Sequence, residues 1–239
     1  MIENVQLIPF NQVIFYEQYD KERVTMIENS IADEKILIDL PTALKTSSNQ
    51  YLILDGTHRT LALRNLQCMN IPAQIVDENS LQVSSWIHQI SKSEDLLKRI
   101  FDNSHIYCSE KILDGNRYVT KMCMDDKMYY LYSSNTCNNP IEYVTNMLNS
   151  VITMYTNNSS FKRLKKEEYN PTFSGITFEF PIFSIQEILK IISNKDLFPQ
   201  NVVRFVIACG KLRDLKIPIN IIRSPEVFEF DWTELLKIN

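Results

Sequence analysis

The sequence predicts an α/β protein with an α+β second half, on three observations. Short apolar runs bounded by turn formers alternate with segments of helical spacing through about residue 90. β-rich runs then flank Asp125-Asp126, and no internal repeat or low-complexity linker interrupts the chain. In order, Val5 to Pro9 reads as a strand, followed by a polar stretch carrying Glu17 and Arg23 and a helix up to about Ser30. Leu37 to Leu44 and Tyr51 to Leu54 read as strands, with Pro41 and Ser47-Ser48-Asn49 supplying turns. Thr57 to Met69 has helical spacing, with Ala62, Leu66 and Met69 on one face, and Ile71-Pro72 ends it before a strand from Ala73 to Val76. Ser93 caps a helix to Ile100 that places Leu96, Leu97 and Ile100 together. Farther on, Asp114-Gly115 marks a turn, and Arg117 to Met124 and Lys127 to Tyr132 form a hairpin. A helix starts at Asn139-Pro140 with Val144, Leu148, Val151 and Tyr155 on one face, and Ser184 and Glu187 form a capping box for another through Ile192. The expected boundary lies near Gln89 to Lys92, giving domains of residues 1–90 and 91–239.

A chain of 239 residues with 44% hydrophobic and 23% charged residues can bury a substantial core, which excludes general disorder. The net charge of -4 speaks against a surface built for a nucleic-acid backbone. The locally basic run Phe161 to Lys166 is followed at once by Glu167 and Glu168 and reads as a solvated helix or loop face. Cys68, Cys108, Cys123, Cys137 and Cys209 are odd in number and widely spaced, so neither a disulfide framework nor a zinc site is expected. The first residues lack the layout of a signal peptide and no apolar stretch approaches membrane-spanning length, which makes the cytoplasm the expected compartment.

The chemistry concentrates at Asp55-Gly56-Thr57-His58-Arg59, between an apolar strand and a helix. Gly56, one of four glycines, stands where the backbone must turn or approach a ligand. Thr57, His58 and Arg59 fall in the first helical turn, where free N–H groups and the helix dipole favour an anion such as phosphate. Arg59 can grip phosphate oxygens with its planar fork and His58 can donate to them; equally, Arg59 can pair with an acid and His58 can pack locally. Asp55 beside an anion pocket implies a cation or a transferable proton between them, as a magnesium-dependent phosphoryl transfer requires. Trp86 reads as a core or rim aromatic, and Arg204, inside the apolar run Val202 to Ala208, needs either a substrate carboxylate or an internal acid.

Several separated blocks, in one order, resemble the ParB/sulfiredoxin-like superfamily and, within it, the free L-serine kinases. They are Leu7-Ile8-Pro9 with Glu17, the run Tyr51 to Arg59, Leu66-Gln67-Cys68 through Ile71-Pro72-Ala73, Ser85-Trp86, and Phe198-Pro199 through Arg204-Phe205 to Ile217-Pro218. The likeness is greater to the branch serving staphyloferrin B siderophore biosynthesis than to the archaeal ADP-dependent serine kinases. It implies a ParB/sulfiredoxin-like N-terminal nucleotide-binding domain, a smaller α+β C-terminal domain that completes the amino-acid site, and an active-site cleft between them. It implies that Glu17 is the catalytic base for the serine hydroxyl and that Asp55 assists at the reacting phosphate and its metal. Gly56, Thr57, His58 and Arg59 would bind the phosphates of ATP or ADP with Mg2+, and Trp86 and Arg204 would line the L-serine pocket. No metal ligand is assigned.

One departure from that pattern is Val203, where those kinases carry threonine before the arginine; it offers no hydroxyl to the substrate, a deficit of ~1 to 3 kcal/mol if that contact matters. Sulfiredoxin chemistry would need a cysteine in the turn, where Thr57 stands. The alternative is a ParB-like regulator that senses a nucleotide or ligand, or binds DNA, without kinase activity; the acidic charge and the β hairpin after the first module oppose the DNA-binding form.

Overall fold

The computed structural model describes residues 5–134, 143–156, 161–170 and 173–224; Cys137 and the expected helix start at Asn139-Pro140 lie outside the described residues. The chain begins with β1 (Val5–Pro9), β2 (Val13–Phe15), α1 (Lys21–Glu34), β3 (Ile36–Leu37), β4 (Thr42–Lys45), β5 (Tyr51–Asp55), α2 (Thr57–Asn65) and β6 (Asn70–Val76). It continues through β7 (Leu81–Ser85), β8 (Ile87–Ile90), α3 (Glu94–Phe101), β9 (Ile106–Ser109), β10 (Thr120–Met124), β11 (Lys127–Ser133) and α4 (Val144–Thr156). The last elements are β12 (Phe161–Leu164), β13 (Ile176–Glu179), α5 (Ile185–Ser193), β14 (Val203–Ile207), β15 (Ile217–Pro218) and α6 (Ile219–Arg223).

Two compact units result. One holds the residues up to Gln82 together with those from Phe205 onward, and the other spans Val83–Arg204. The C-terminal segment therefore joins the first unit, whereas sequence order groups it with residues 91–239. Its attachment is physical: β15 pairs antiparallel with β3, and Leu215, Ile217, Ile219 and Ile222 enter the same core as Ile8, Leu37, Ile53 and Leu63. Pairing between residues so far apart in sequence leaves no local signal.

The first unit is built on a five-stranded mixed sheet in the order β1-β6-β4-β5-β2. β2 runs parallel to β5 and β4 parallel to β6, while β1 with β6 and β4 with β5 are antiparallel. The inner strands are apolar on both faces, with Leu52, Ile53, Ala43, Ile71 and Ala73 buried, as strands covered on both sides must be. α1 is capped by Asp20, whose carboxylate accepts from the N–H groups of Glu22 and Arg23 at 2.9 and 3.3 Å. It runs four residues beyond the expected Ser30, to Glu34, and stops at left-handed Lys35 (φ 58°).

Helix α2 is shorter than its spacing suggests. It ends at Asn65, Gln67 turns left-handed (φ 64°), and Met69, expected on the buried face, is 75% exposed. Leu61, Ala62, Leu63 and Leu66 supply the burial instead. The expected strand from Leu37 to Leu44 is divided, with Leu40 and Pro41 lying between β3 and β4.

The second unit carries a six-stranded antiparallel sheet in the order β12-β8-β13-β10-β11-β9. The hairpin between β10 and β11 turns through Asp125 (φ 50°) and Asp126 (φ 59°), the two positive values that a two-residue type I′ turn requires. The expected stripe on α4 is buried at Val144, Leu148, Val151 and Tyr155, and α5 starts with the expected Ser184–Glu187 capping box. The basic run differs from its expected form as a helix or loop: Phe161 to Leu164 is an edge strand paired with β8. Cys68, Cys108, Cys123 and Cys209 are free, and no helix among the described residues is long and apolar enough to cross a membrane.

Candidate functional site

The strand β5 ends at Asp55 and the helix α2 begins at Thr57, so a single residue, Gly56, must reverse the chain. It does so at φ +90°, a left-handed conformation that side-chain-bearing residues rarely adopt. A Cβ there would also lie 3.0 Å from Arg59 Nη2 and 3.1 Å from Pro41 Cα. Gly56 has no side chain with which to cap this helix start, and among the described residues none takes its place, which leaves first-turn N–H groups for a ligand. Thr57 Oγ1 and Arg59 Nε are likewise buried and without a hydrogen-bond partner among the described residues.

Asp55 gathers cations at this turn. Its Oδ2 accepts from Arg59 Nη2 at 2.9 Å, its Oδ1 lies 3.0 Å from Lys211 Nζ, and Arg59 Nη1 lies 3.5 Å from Asp39 Oδ2. Burial alone would raise the Asp55 pKa, but Lys211 and Arg59 outweigh it, and the carboxyl is held below its ordinary value. A carboxylate stabilised in this way is a weak proton acceptor and a good organiser of positive charge.

Glu17 lies two residues past β2. Phe15 stands opposite Ile53 in the parallel β2–β5 pair, so Glu17 and Asp55, each two residues onward, leave the same end of the sheet. The segment is anchored by buried Tyr16, whose ring meets Phe205 edge-on at 5.0 Å. His58 ties α2 to the start of α1: its Nε2 accepts from the Asp20 N–H at 3.1 Å, leaving Nδ1–H as the donor of the neutral ring. Burial, with Arg23 and Arg59 nearby, lowers the His58 pKa despite the opposing effect of Asp20, so the neutral form is favoured.

Trp86 and Arg204 belong to the second unit and are neighbours within it, the Arg204 guanidinium carbon lying 5.3 Å from the Trp86 ring centre. Arg163, from the basic strand, stands 4.2 Å from the same ring and hydrogen-bonds Asn201. Arg204 has the internal acid allowed for from its sequence setting, Glu167, at 3.5 Å. Glu167 is 72% exposed, so the pair is screened and weak. Val203, just before Arg204, is buried and apolar.

No family model matches the chain. The ATP-dependent L-serine kinase SbnI of Staphylococcus aureus (strain NCTC 8325 / PS 47) is 21% identical over 238 residues, covering 98% of this chain and 91% of SbnI. The solved structure of SbnI with a C-terminal truncation superposes with a TM-score of 0.81 at 19% identity, covering 98% and 93% of the two chains. A free serine kinase variant in complex with ADP matches with a TM-score of 0.72 at 13% identity, covering 92% and 94%. The fold is that of the free serine kinases.

Within this serine-kinase fold, three residues of the first unit escaped sequence reasoning: Lys211, Asp39 and Gln74. Nothing local marks them, because Lys211 reaches Asp55 only after the C-terminal segment has packed. No group of three or more His, Cys, Asp or Glu side chains among the described residues could hold a metal. With both Asp55 oxygens held by cations, these residues do not form a protein metal cage.

Proposed function

We propose that this chain is a free L-serine kinase, transferring the terminal phosphoryl group of ATP or ADP to the serine hydroxyl to give O-phospho-L-serine. The observation that carries this reading is the uncapped start of α2 behind Asp55, with Glu17 leaving the same end of the sheet. Phosphates set against Gly56, Thr57, His58 and Arg59 meet free N–H groups, the positive end of the helix dipole and a guanidinium. The serine oxygen forms a bond to phosphorus, the bond from phosphorus to the nucleotide oxygen breaks, and the hydroxyl proton passes to Glu17. Asp55 keeps Arg59 oriented toward the phosphoryl group, which neutralises charge without motion at the moment of transfer.

Trp86 and Arg204 are assigned to the amino acid, Arg204 as the partner of its carboxylate. Its ion-pair partner Glu167 is exposed and is a weak competitor for that role. Mg2+ enters this reading on the nucleotide phosphates, since Asp55 could approach it only by releasing Lys211 or Arg59. A cytoplasmic enzyme feeding siderophore or amino-acid biosynthesis fits such a product.

The test is direct: purified protein with Mg2+, ATP or ADP, and L-serine, with O-phosphoserine followed by phosphorus NMR and mass spectrometry. Product from serine is expected, and homoserine and threonine run in parallel show whether Val203 has changed the acceptor. Nucleotide binding with no product from any acceptor would overturn the reading in favour of a nucleotide sensor. Arg59→Ala should weaken ADP binding by about 10- to 100-fold in calorimetry, because it removes a charge-assisted phosphate contact while α2 remains. Unchanged affinity with an intact fold would exclude Arg59 from the phosphate site.

A further inference from the structure

A polar row crosses the first sheet between apolar ones. Gln74 on β6 stands opposite Thr42 on β4, and Thr42 opposite Asp55 on β5; the next row is Ile75, Ala43 and Ile53. Gln74 is fully buried, and both ends of its amide are engaged by one stretch of backbone. Its Nε2 donates to the Gly210 carbonyl at 3.0 Å, and its Oε1 accepts from the Leu212 N–H at 3.0 Å. The residue between these two is Lys211, whose Nζ lies 3.0 Å from Asp55 Oδ1 at the far end of the same row. Left-handed Gly210 (φ +84°) and the Asp214 N–H bond to Asp39 Oδ1 at 3.1 Å hold the rest of this loop.

A lysine serving only to neutralise Asp55 would be largely redundant, since Arg59 already pairs with that carboxylate at 2.9 Å. A buried amide dedicated to the backbone on both sides of one lysine instead fixes where its ammonium group sits. In this turn and on the strand beside it are polar atoms that lack a partner among the described residues: Arg59 Nε and the hydroxyls of Thr57, Thr60 and, on β4, Thr42, all three threonines being almost fully buried. Together these features describe a site organised for an anion.

We propose that Lys211 is a phosphate-binding residue of this site and that Gln74 is the positioning residue that aims it. The proposal rests on the kinase reading only in taking the ligand to be a nucleoside di- or triphosphate. The ammonium group has three donors, so it can keep Asp55 while it bonds a phosphate oxygen at the start of α2.

Calorimetry with ADP separates this from a plain ion pair. Lys211→Met, Asp55→Asn and the double variant are compared with the unmodified protein. A phosphate contact predicts a loss of ADP affinity of about tenfold or more for Lys211→Met in both the wild-type and the Asp55→Asn backgrounds, with adenosine binding unchanged. If Lys211 only balances Asp55, Lys211→Met does nothing once Asp55 is neutral, and that result overturns the proposal. Gln74→Met should weaken ADP binding in the wild-type background but not in Lys211→Met; an equal loss in both would make Gln74 merely structural. Gln74→Asn, which retracts the amide but keeps it polar, answers the same question if the Met variant fails to fold. Phosphoserine formation is assayed on the unmodified protein in parallel. ADP binding without product would sink the kinase reading while leaving Lys211 to be judged on affinity alone.

Discussion

Glu17→Gln is expected to lower phosphoserine formation by about 10²- to 10⁴-fold while ADP and serine still bind, the usual cost of removing a general base. The substitution keeps the size and much of the hydrogen bonding of the side chain but removes the basic oxygen. The other carboxylate at this end of the sheet, Asp55, is held ionised by Lys211 and Arg59 and is a poor proton acceptor. The measurement is turnover at saturating nucleotide and serine, with both affinities determined separately so that a weak serine site near Val203 does not pass for lost chemistry. Equal turnover in the two proteins would remove Glu17 from the proton transfer.

The second large effect concerns stability in acid. His88 is completely buried, between Tyr155 and the Asn201 carbonyl, against the rings of Phe161 and Phe180. A carbonyl can only accept, so Nε2–H donates to Asn201 at 2.8 Å and Nδ1 accepts the Tyr155 hydroxyl at 2.7 Å, which fixes a neutral tautomer. Burial lowers the pKa from 6.5 to about 4, helped by Arg163 and opposed by the Asn201 bond. Because the folded value lies below the unfolded one, the neutral ring contributes its full stability above pH 6.5. That contribution declines as pH falls from there and is lost below about pH 4. The loss amounts to about 3 kcal/mol across that window. Urea unfolding at a series of pH values should show it, and His88→Gln, though less stable at neutral pH, should show a shallower slope between pH 6.5 and 4. Parallel slopes in the two proteins would assign the acid sensitivity to other groups.

Much of the fold was legible because its signals are local. The capping box at Ser184, the cap at Ser93, the apolar run Tyr51 to Leu54 and the stripe on α4 each depend on residues within a turn or two of one another. The strand–turn–helix at Gly56 was legible for the same reason, since one glycine between an apolar strand and a helix start requires no distant partner to be meaningful. Where reading by periodicity failed, a tertiary contact prevailed over a local pattern. Met69 continues the helical spacing on paper, yet the chain must turn at Gln67 to lay β6 between β1 and β4. Phe161 to Lys166 reads as a solvated basic face, yet pairing with β8 makes its first four residues a strand and brings Arg163 onto Trp86.

By itself the sequence determined the α/β character and the strand–turn–helix at Asp55 to Arg59, because each is written in neighbouring residues, whereas Glu17 became the candidate base only through the resemblance. Only the tertiary structure decided what stands around Asp55. Lys211 is more than 150 positions away, and its place there depends on three things no local pattern encodes: the return of the chain after Phe205, the pairing of β15 with β3, and the grip of buried Gln74 on the backbone at Gly210 and Leu212. Coulombic and hydrogen-bond energies depend on distance in space, and that distance exists only once the two ends of the first unit have packed into one core.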